Sequence, residues 1–106
     1  MLSRQVHQRL GGRLRFIISG GAALDPALGE KWERLGIRIV QGYGATEASP
    51  VISSHSTAKP RFDSAGLPIR DLDARIASDG EIQVRGPNVT QGYWEDPTQT
   101  EAAFED

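Results

Sequence analysis

Cysteine is absent from the 106 residues, which excludes a disulfide framework and any thiolate metal site. That fits a reducing compartment, and a cytoplasmic location is the expectation. Hydrophobic residues are few, at 38%, so a self-sufficient core would be thin. A basic excess is lacking as well. The net charge of −2 argues against a general nucleic-acid binder, which needs a positive face. No apolar run approaches the roughly 18 residues of a membrane span, and the opening residues do not read as a secretory signal. Internal repeats and low-complexity tracts are missing too. Turn formers are what the chain has in quantity, with 12 glycines and 6 prolines. Charge is also uneven: Arg4, Arg9, Arg13 and Arg15 precede the first acid, Asp25, and nothing after Arg85 is basic. This reads as solvated surface.

The two halves follow different patterns. Residues 14–44 read as a βαβ unit. Leu14 to Ser19 is a short, mostly apolar run, as expected of a strand buried on both faces. Gly20-Gly21 breaks it, and Asp25-Pro26 supplies an N-cap and a first-turn proline for a helix. Leu28, Trp32 and Leu35 fall on one stripe, expected to face the sheet, with Trp32 in the core. Glu30 and Arg34 share the outer face, and Gly36 is placed to end the helix. Ile37 to Gln41 is the second strand, with Gly42 expected to stop it. The polar stretch 53–65 reads as a surface connector. Leu72, Ala74 and Ile76, then Ile82 and Val84, alternate with polar partners around Asp79-Gly80, the pattern of an antiparallel hairpin. Gly92-Tyr93-Trp94 reads as a further extended stretch, and Asp96-Pro97 as the cap of a short last helix ending near Phe104.

Adjacent parallel strands bring their carboxyl ends to one sheet edge, where ligands of open α/β sheets bind. One strand leads into Ser19-Gly20-Gly21-Ala22 and the other into Gly42-Tyr43-Gly44-Ala45-Thr46-Glu47. Glycines let a backbone approach a flat or charged ligand closely. The second loop adds an aromatic face, a hydroxyl and a carboxylate, which could stack on a base, bond a phosphate oxygen and hold Mg²⁺ against phosphates. Each part has a plainer reading: a tight βα turn, a packing tyrosine, a solvated acid. Residue chemistry leaves those alternatives open and points to half of a nucleotide-triphosphate site. His7 and His55 have no carboxylate or nucleophile at a telling spacing, so no direct chemical role is expected of either.

These same residues resemble the adenylate-forming ligase superfamily, most closely long-chain fatty-acyl-CoA synthetases. Arg15-Phe16-Ile17-Ile18-Ser19-Gly20-Gly21-Ala22-Ala23-Leu24 resembles the family's Gly-Gly-Ala segment. Gln41-Gly42-Tyr43-Gly44-Ala45-Thr46-Glu47 matches its Tyr-Gly-x-Thr-Glu signature, the most specific motif present. Ala65-Gly66-Leu67-Pro68 resembles its Gly-Lys-Pro turn, with Leu67 where lysine is common. Gly80-Glu81-Ile82-Gln83-Val84-Arg85-Gly86-Pro87 and Gly92-Tyr93-Trp94 match the next signature. The resemblance runs from about residue 6 to the end of the chain.

The resemblance implies an α/β fold: a parallel βαβ segment of a larger sheet over residues 1–52, then a connector and an antiparallel, barrel-like β segment over 53–106. Tyr93-Trp94 is expected to pack that barrel. By resemblance Gly20, Gly21 and Ala22 lie against adenine and its sugar, Tyr43 stacks on the base between Gly42 and Gly44, Thr46 bonds the α-phosphate region, and Glu47 helps bind Mg²⁺. Ala48, Ser49 and Pro50 are implied to lie near the acyl pocket. The implied chemistry activates a carboxylate with ATP to an acyl-adenylate and passes the acyl group to coenzyme A; the run 48–53 tilts the reading towards long-chain fatty acids. The family's triphosphate loop, its Thr-Gly-Asp motif and its mobile C-terminal domain are expected outside this chain, so the chain alone is expected to be inactive and prone to self-association. Membrane-surface contact by a longer parent is left open. The alternatives are a non-catalytic nucleotide-binding module and a ligase for another carboxylate class.

Overall fold

The computed structural model describes residues 2–56 and 61–104. Part of the expected connector, residues 57–60, therefore lies outside the described residues. In chain order come α1 (Leu2–Arg9), β1 (Phe16–Ser19), α2 (Pro26–Arg34), β2 (Arg38–Gly44), a 3-10 turn (Thr46–Ala48), β3 (Val51–Ser54), β4 (Leu67–Pro68), β5 (Asp73–Ile76), β6 (Ile82–Arg85) and α3 (Pro97–Ala103). Strands β1-β2-β3-β4 form one sheet and β5-β6 a separate hairpin. The α/β class with an antiparallel second half is thus present, although no closed barrel forms among the described residues.

Helix α2 starts and stops where its local chemistry directs. Asp25 Oδ1 accepts from the Ala27 N–H at 2.8 Å, with Pro26 in the first turn. At the far end Gly36 takes φ +79°. Its N–H donates to Glu33 O at 2.8 Å and that of Ile37 to Trp32 O at 3.1 Å, the paired bonds of a Schellman ending. The Leu35 carbonyl, one of the orphan acceptors of a helix end, is met by α1: Ser3 Oγ donates to it at 2.5 Å and His7 Nε2 lies 3.1 Å away. His7 thereby joins two helices.

The apolar stripe of α2 departs from expectation. Trp32 and Leu35 are only half-buried, and Leu28 is exposed. The buried residue of the helix is Gly29, where a Cβ would stand 2.6 Å from the Phe62 ring. Phe62, from the supposed polar connector, thus covers the helix where a side chain would not fit. Strand β1 also departs: it is an edge strand, with Phe16 44% and Ile18 72% exposed, because only β2 pairs with it in this sheet.

Strand β2 does not stop at Gly42. Its first part runs parallel to β1, pairing Phe16 with Arg38 through Ser19 with Gln41. Its second part runs antiparallel to β3, pairing Gly42 with Ser54, Tyr43 with Ser53 and Gly44 with Val51 across a bulge. Gly42 continues the strand because β3 supplies its ladder partner, and the absence of a side chain lets the Ser53 carbonyl come close. Residues 53 and 54 therefore belong to the sheet rather than to a connector. Ser53, buried, donates its hydroxyl to Ala65 O at 2.8 Å, and Leu67-Pro68 adds β4 to the same edge.

Buried apolar residues are few. Ile37, just before β2, and Ile39 and Val40 within it are buried, while Ala48, Ile52 and Leu72 form a second small core, flanked by Ala45, Ile69, Val84 and Val89. This second core lies at the 3-10 turn and joins it to the hairpin. The radius of gyration is 17.5 Å, with extents of 57 × 29 × 22 Å, well above the ~13 Å of a compact 100-residue domain.

Candidate functional site

The parallel pairing of β1 with β2 places the two glycine-rich exits side by side. Immediately past Ser19 and Gln41, a Cβ on Gly20 would stand 3.3 Å from the Gly42 carbonyl. The Gly20-Gly21-Ala22 backbone therefore leaves the sheet next to Gly42-Tyr43, and all three of its residues are exposed. Tyr43, the next residue of β2, is 40% exposed. Gly42, Tyr43 and Gly44 sit in a strand rather than in a loop. Their backbone is fixed by β3 before any ligand arrives.

Beyond Gly44 the chain reverses. The Ala45 N–H donates to Pro50 O at 2.8 Å, closing the loop that carries Thr46 and Glu47. Ser49 takes the left-handed conformation (φ 54°, ψ 52°) that ends the 3-10 turn. Closure demands glycine at position 44, where a Cβ would fall 1.7 Å from the Pro50 carbonyl oxygen. Thr46 is exposed and Glu47 half-buried. Ser49 and Pro50, expected near an acyl pocket, are exposed, but Ala48 is 1% exposed and packs with Ile52 and Leu72. Its side chain thus serves the core of this chain, because the turn must bury one residue to be anchored.

Three residues that sequence reasoning gave no site role hold this loop in place. Asn88 Nδ2 donates to Ala48 O at 2.6 Å and to Val51 O at 3.1 Å. The Thr90 N–H donates to Glu47 O at 2.7 Å. The Tyr93 hydroxyl donates to Glu47 Oε1 at 2.6 Å. The Tyr93 bond, aided by the backbone N–H of Glu47 itself, holds the Glu47 carboxyl below its usual pKa, and in return Glu47 pushes the Tyr93 phenol up. Tyr93 sits at a tight reversal, bridged to Asp96, rather than in an extended stretch. Trp94, expected to pack, is 89% exposed. The partners lie 37 to 46 residues apart, beyond any local pattern. Tyr93 alone falls within a segment of motif resemblance, 92–94; Asn88 and Thr90 lie between that segment and 80–87.

The donor set suits a phosphate-bound magnesium ion better than a protein-caged metal. No group of three or more potential ligands occurs among the described residues, whereas Mg²⁺ typically takes one or two carboxylates and fills its shell with phosphates and water. A single carboxylate such as Glu47, next in sequence to Thr46, would fit that requirement. His55 is structural: its Nε2 lies 2.7 Å from Ser64 O.

A mixed α/β sheet thus brings two glycine-rich strand exits together, with an aromatic, a hydroxyl and a single carboxylate following along the second. The AMP-binding enzyme model matches residues 1–94, and the chain belongs to that family. It is 36% identical over its whole length to the long-chain-fatty-acid–CoA ligase FadD15 of Mycobacterium bovis, of which it covers 18%. It is 35% identical over 88% of its length to a feruloyl-CoA synthase of Amycolatopsis, covering 21% of that protein. Among solved structures, O-succinylbenzoate coenzyme A synthetase from Bacillus subtilis, in complex with ATP and magnesium ion, matches 95% of the chain with a TM-score of 0.77 and 27% identity, the match covering 25% of that protein. The chain thus spans about a fifth of the length of these curated relatives.

Proposed function

We propose that this chain supplies part of the ATP and magnesium site of a ligase that activates a carboxylate as its acyl-adenylate and transfers it to coenzyme A. The observation that carries the reading is the juxtaposition of Gly20 with Gly42, in line with a closed loop bearing Thr46 and Glu47. Gly20, Gly21 and Ala22 would border the adenine and its sugar, and Tyr43 would stack on the base. Thr46 would bond the α-phosphate oxygens as the substrate carboxylate attacks phosphorus and pyrophosphate leaves. Magnesium, when bound, would offset negative charge on the phosphates, and Glu47 would hold it there. In the second step the coenzyme A thiol attacks the acyl carbon and AMP departs.

The substrate we propose is a long-chain fatty acid, as the name of the Mycobacterium bovis relative suggests. The similarity to a feruloyl-CoA synthase supports a second reading, an aromatic carboxylate. Catalysis depends on several groups converging within about 0.5 Å of productive geometry, and the elongated shape and sparse core fit a segment of a larger fold. The isolated chain is therefore expected to lack activity and to associate through the exposed β1 edge.

ATP–pyrophosphate exchange with a panel of carboxylates, run on the chain alone and on the protein encoded by the surrounding reading frame, tests these points. The expected result is exchange driven by fatty acids in the longer protein and none in the chain. Exchange with aromatic acids only would select the second reading. Adenylate formation by the chain alone would overturn the incomplete-site reading, and light scattering showing only monomer would overturn self-association.

A further inference from the structure

The hydrogen bond from Tyr93 to Glu47 crosses 46 residues, and both ends are held independently of it. On the Glu47 side, the backbone is fixed by the Thr90 N–H on Glu47 O and by Asn88 on the next carbonyl. On the Tyr93 side, the ring meets Phe104 edge-on, with centroids 6.4 Å apart and planes at 62°. The Tyr93 N–H donates to Thr100 Oγ1 at 2.9 Å, and that hydroxyl donates to Asp96 O at 2.8 Å. Gly92 makes the approach to α3 feasible, since a Cβ there would stand 2.6 Å from the Thr100 side chain. The phenol is thus delivered by a small scaffold built from α3 and the reversal before it.

We propose that Tyr93 is a positioning residue for Glu47, fixing one carboxylate oxygen so that the remaining lone pairs stay directed for a magnesium-bound nucleotide. This rests on the reading of Glu47 as the metal-binding carboxylate. An ionised carboxylate offers about four acceptor sites. The phenol occupies one of them, which leaves room for a cation. The bond is solvent-exposed, so it adds little to folding; its effect is to restrict the rotamers of the Glu47 side chain. Hydrogen bonds that orient a metal ligand are worth about 10–100-fold in metal affinity.

The test is Tyr93→Phe in the full-length ligase, because phenylalanine keeps the contact with Phe104 and removes only the hydroxyl. Isothermal titration with ATP is run with Mg²⁺ and with EDTA, on wild type, Tyr93→Phe, Glu47→Ala and the double variant. Tyr93→Phe is expected to weaken Mg-ATP binding about tenfold, to leave metal-free ATP within about twofold, and to add nothing on top of Glu47→Ala. The proposal is overturned if Tyr93→Phe binds Mg-ATP like wild type while Glu47→Ala does not. It is equally overturned if metal-free and Mg-ATP binding fall together with the melting temperature, the result of a merely structural contact. If Glu47→Ala leaves Mg-ATP binding intact, the metal role of Glu47 fails and the proposal with it.

Discussion

The chain reverses direction in two comparable places, the loop 45–50 between β2 and β3 and the tip 78–80 between β5 and β6. The hairpin tip is closed entirely by its own residues. The Ala77 N–H donates to Glu81 O at 2.9 Å, that of Gly80 to Ala77 O at 3.0 Å and that of Glu81 to Asp79 Oδ1 at 3.0 Å. The 45–50 loop has its own closing bond from Ala45 to Pro50, but it is also clamped by Asn88, Thr90 and Tyr93 and anchored by Ala48 in a core shared with Leu72. Both flanking strands of the hairpin carry exposed residues, including Ile76 at 75%. A locally closed turn tolerates change because nothing else depends on its exact path. A turn clamped from a distance fixes side chains accurately and is correspondingly sensitive.

The same substitution at the two reversals is the sharpest way to break this contrast. Gly44→Ala drives a methyl into the Pro50 carbonyl, backbone against backbone, and is expected to cost about 3 kcal/mol in urea unfolding. Gly80→Ala meets no atom within 4 Å and suffers only from φ +93°, so about 1 kcal/mol is expected. Equal costs would show that the two turns are equally local. Between these values falls Asn88→Ala, which leaves the Ala48 and Val51 carbonyls without their shared donor. It should cost about 1–2 kcal/mol and speed amide exchange at the turn without affecting the hairpin.

The smallest effect is electrostatic. Because Tyr93 holds the folded pKa of Glu47 down, this carboxylate contributes stability that is present above its unfolded pKa. That contribution is lost as pH falls through the lower, folded value. A carboxyl titration followed by NMR should show Glu47 protonating below an ordinary glutamate in wild type, and moving back up in Tyr93→Phe. No movement would mean that the phenol does not govern the carboxylate.

The elements read correctly from the sequence are those whose cause lies within a few residues. The Asp25-Pro26 start of α2, its Gly36 ending, the β5-β6 hairpin around Asp79-Gly80 and the Asp96 cap of α3, which accepts from the Gln99 N–H at 3.0 Å, all answer to neighbours. The errors share the opposite cause. Gly42 looked like a stop because half of its partner strand β3, Ser53-Ser54, fell in the stretch read as connector, and Phe62 looked like connector because its partner is Gly29. Tyr93 was expected to fill a barrel, yet its hydroxyl reaches Glu47.

By itself the sequence determined which chemistry is present and where α2, α3 and the hairpin turn fall: the glycines at positions 20, 21, 42 and 44, the aromatic Tyr43, the Thr46-Glu47 pair, the caps and the turns. Caps, turn conformations and strand alternation depend on bonds between residues a few positions apart, so their pattern is written along the chain. Only the tertiary structure decided that Ala48 turns inward to pack with Leu72, and that Asn88, Thr90 and Tyr93 grip the Thr46–Ala48 turn. Those contacts close loops of some 20 to 46 residues. Their formation depends on the combined packing of the sheet and the small core under the turn, which no local run of residues specifies.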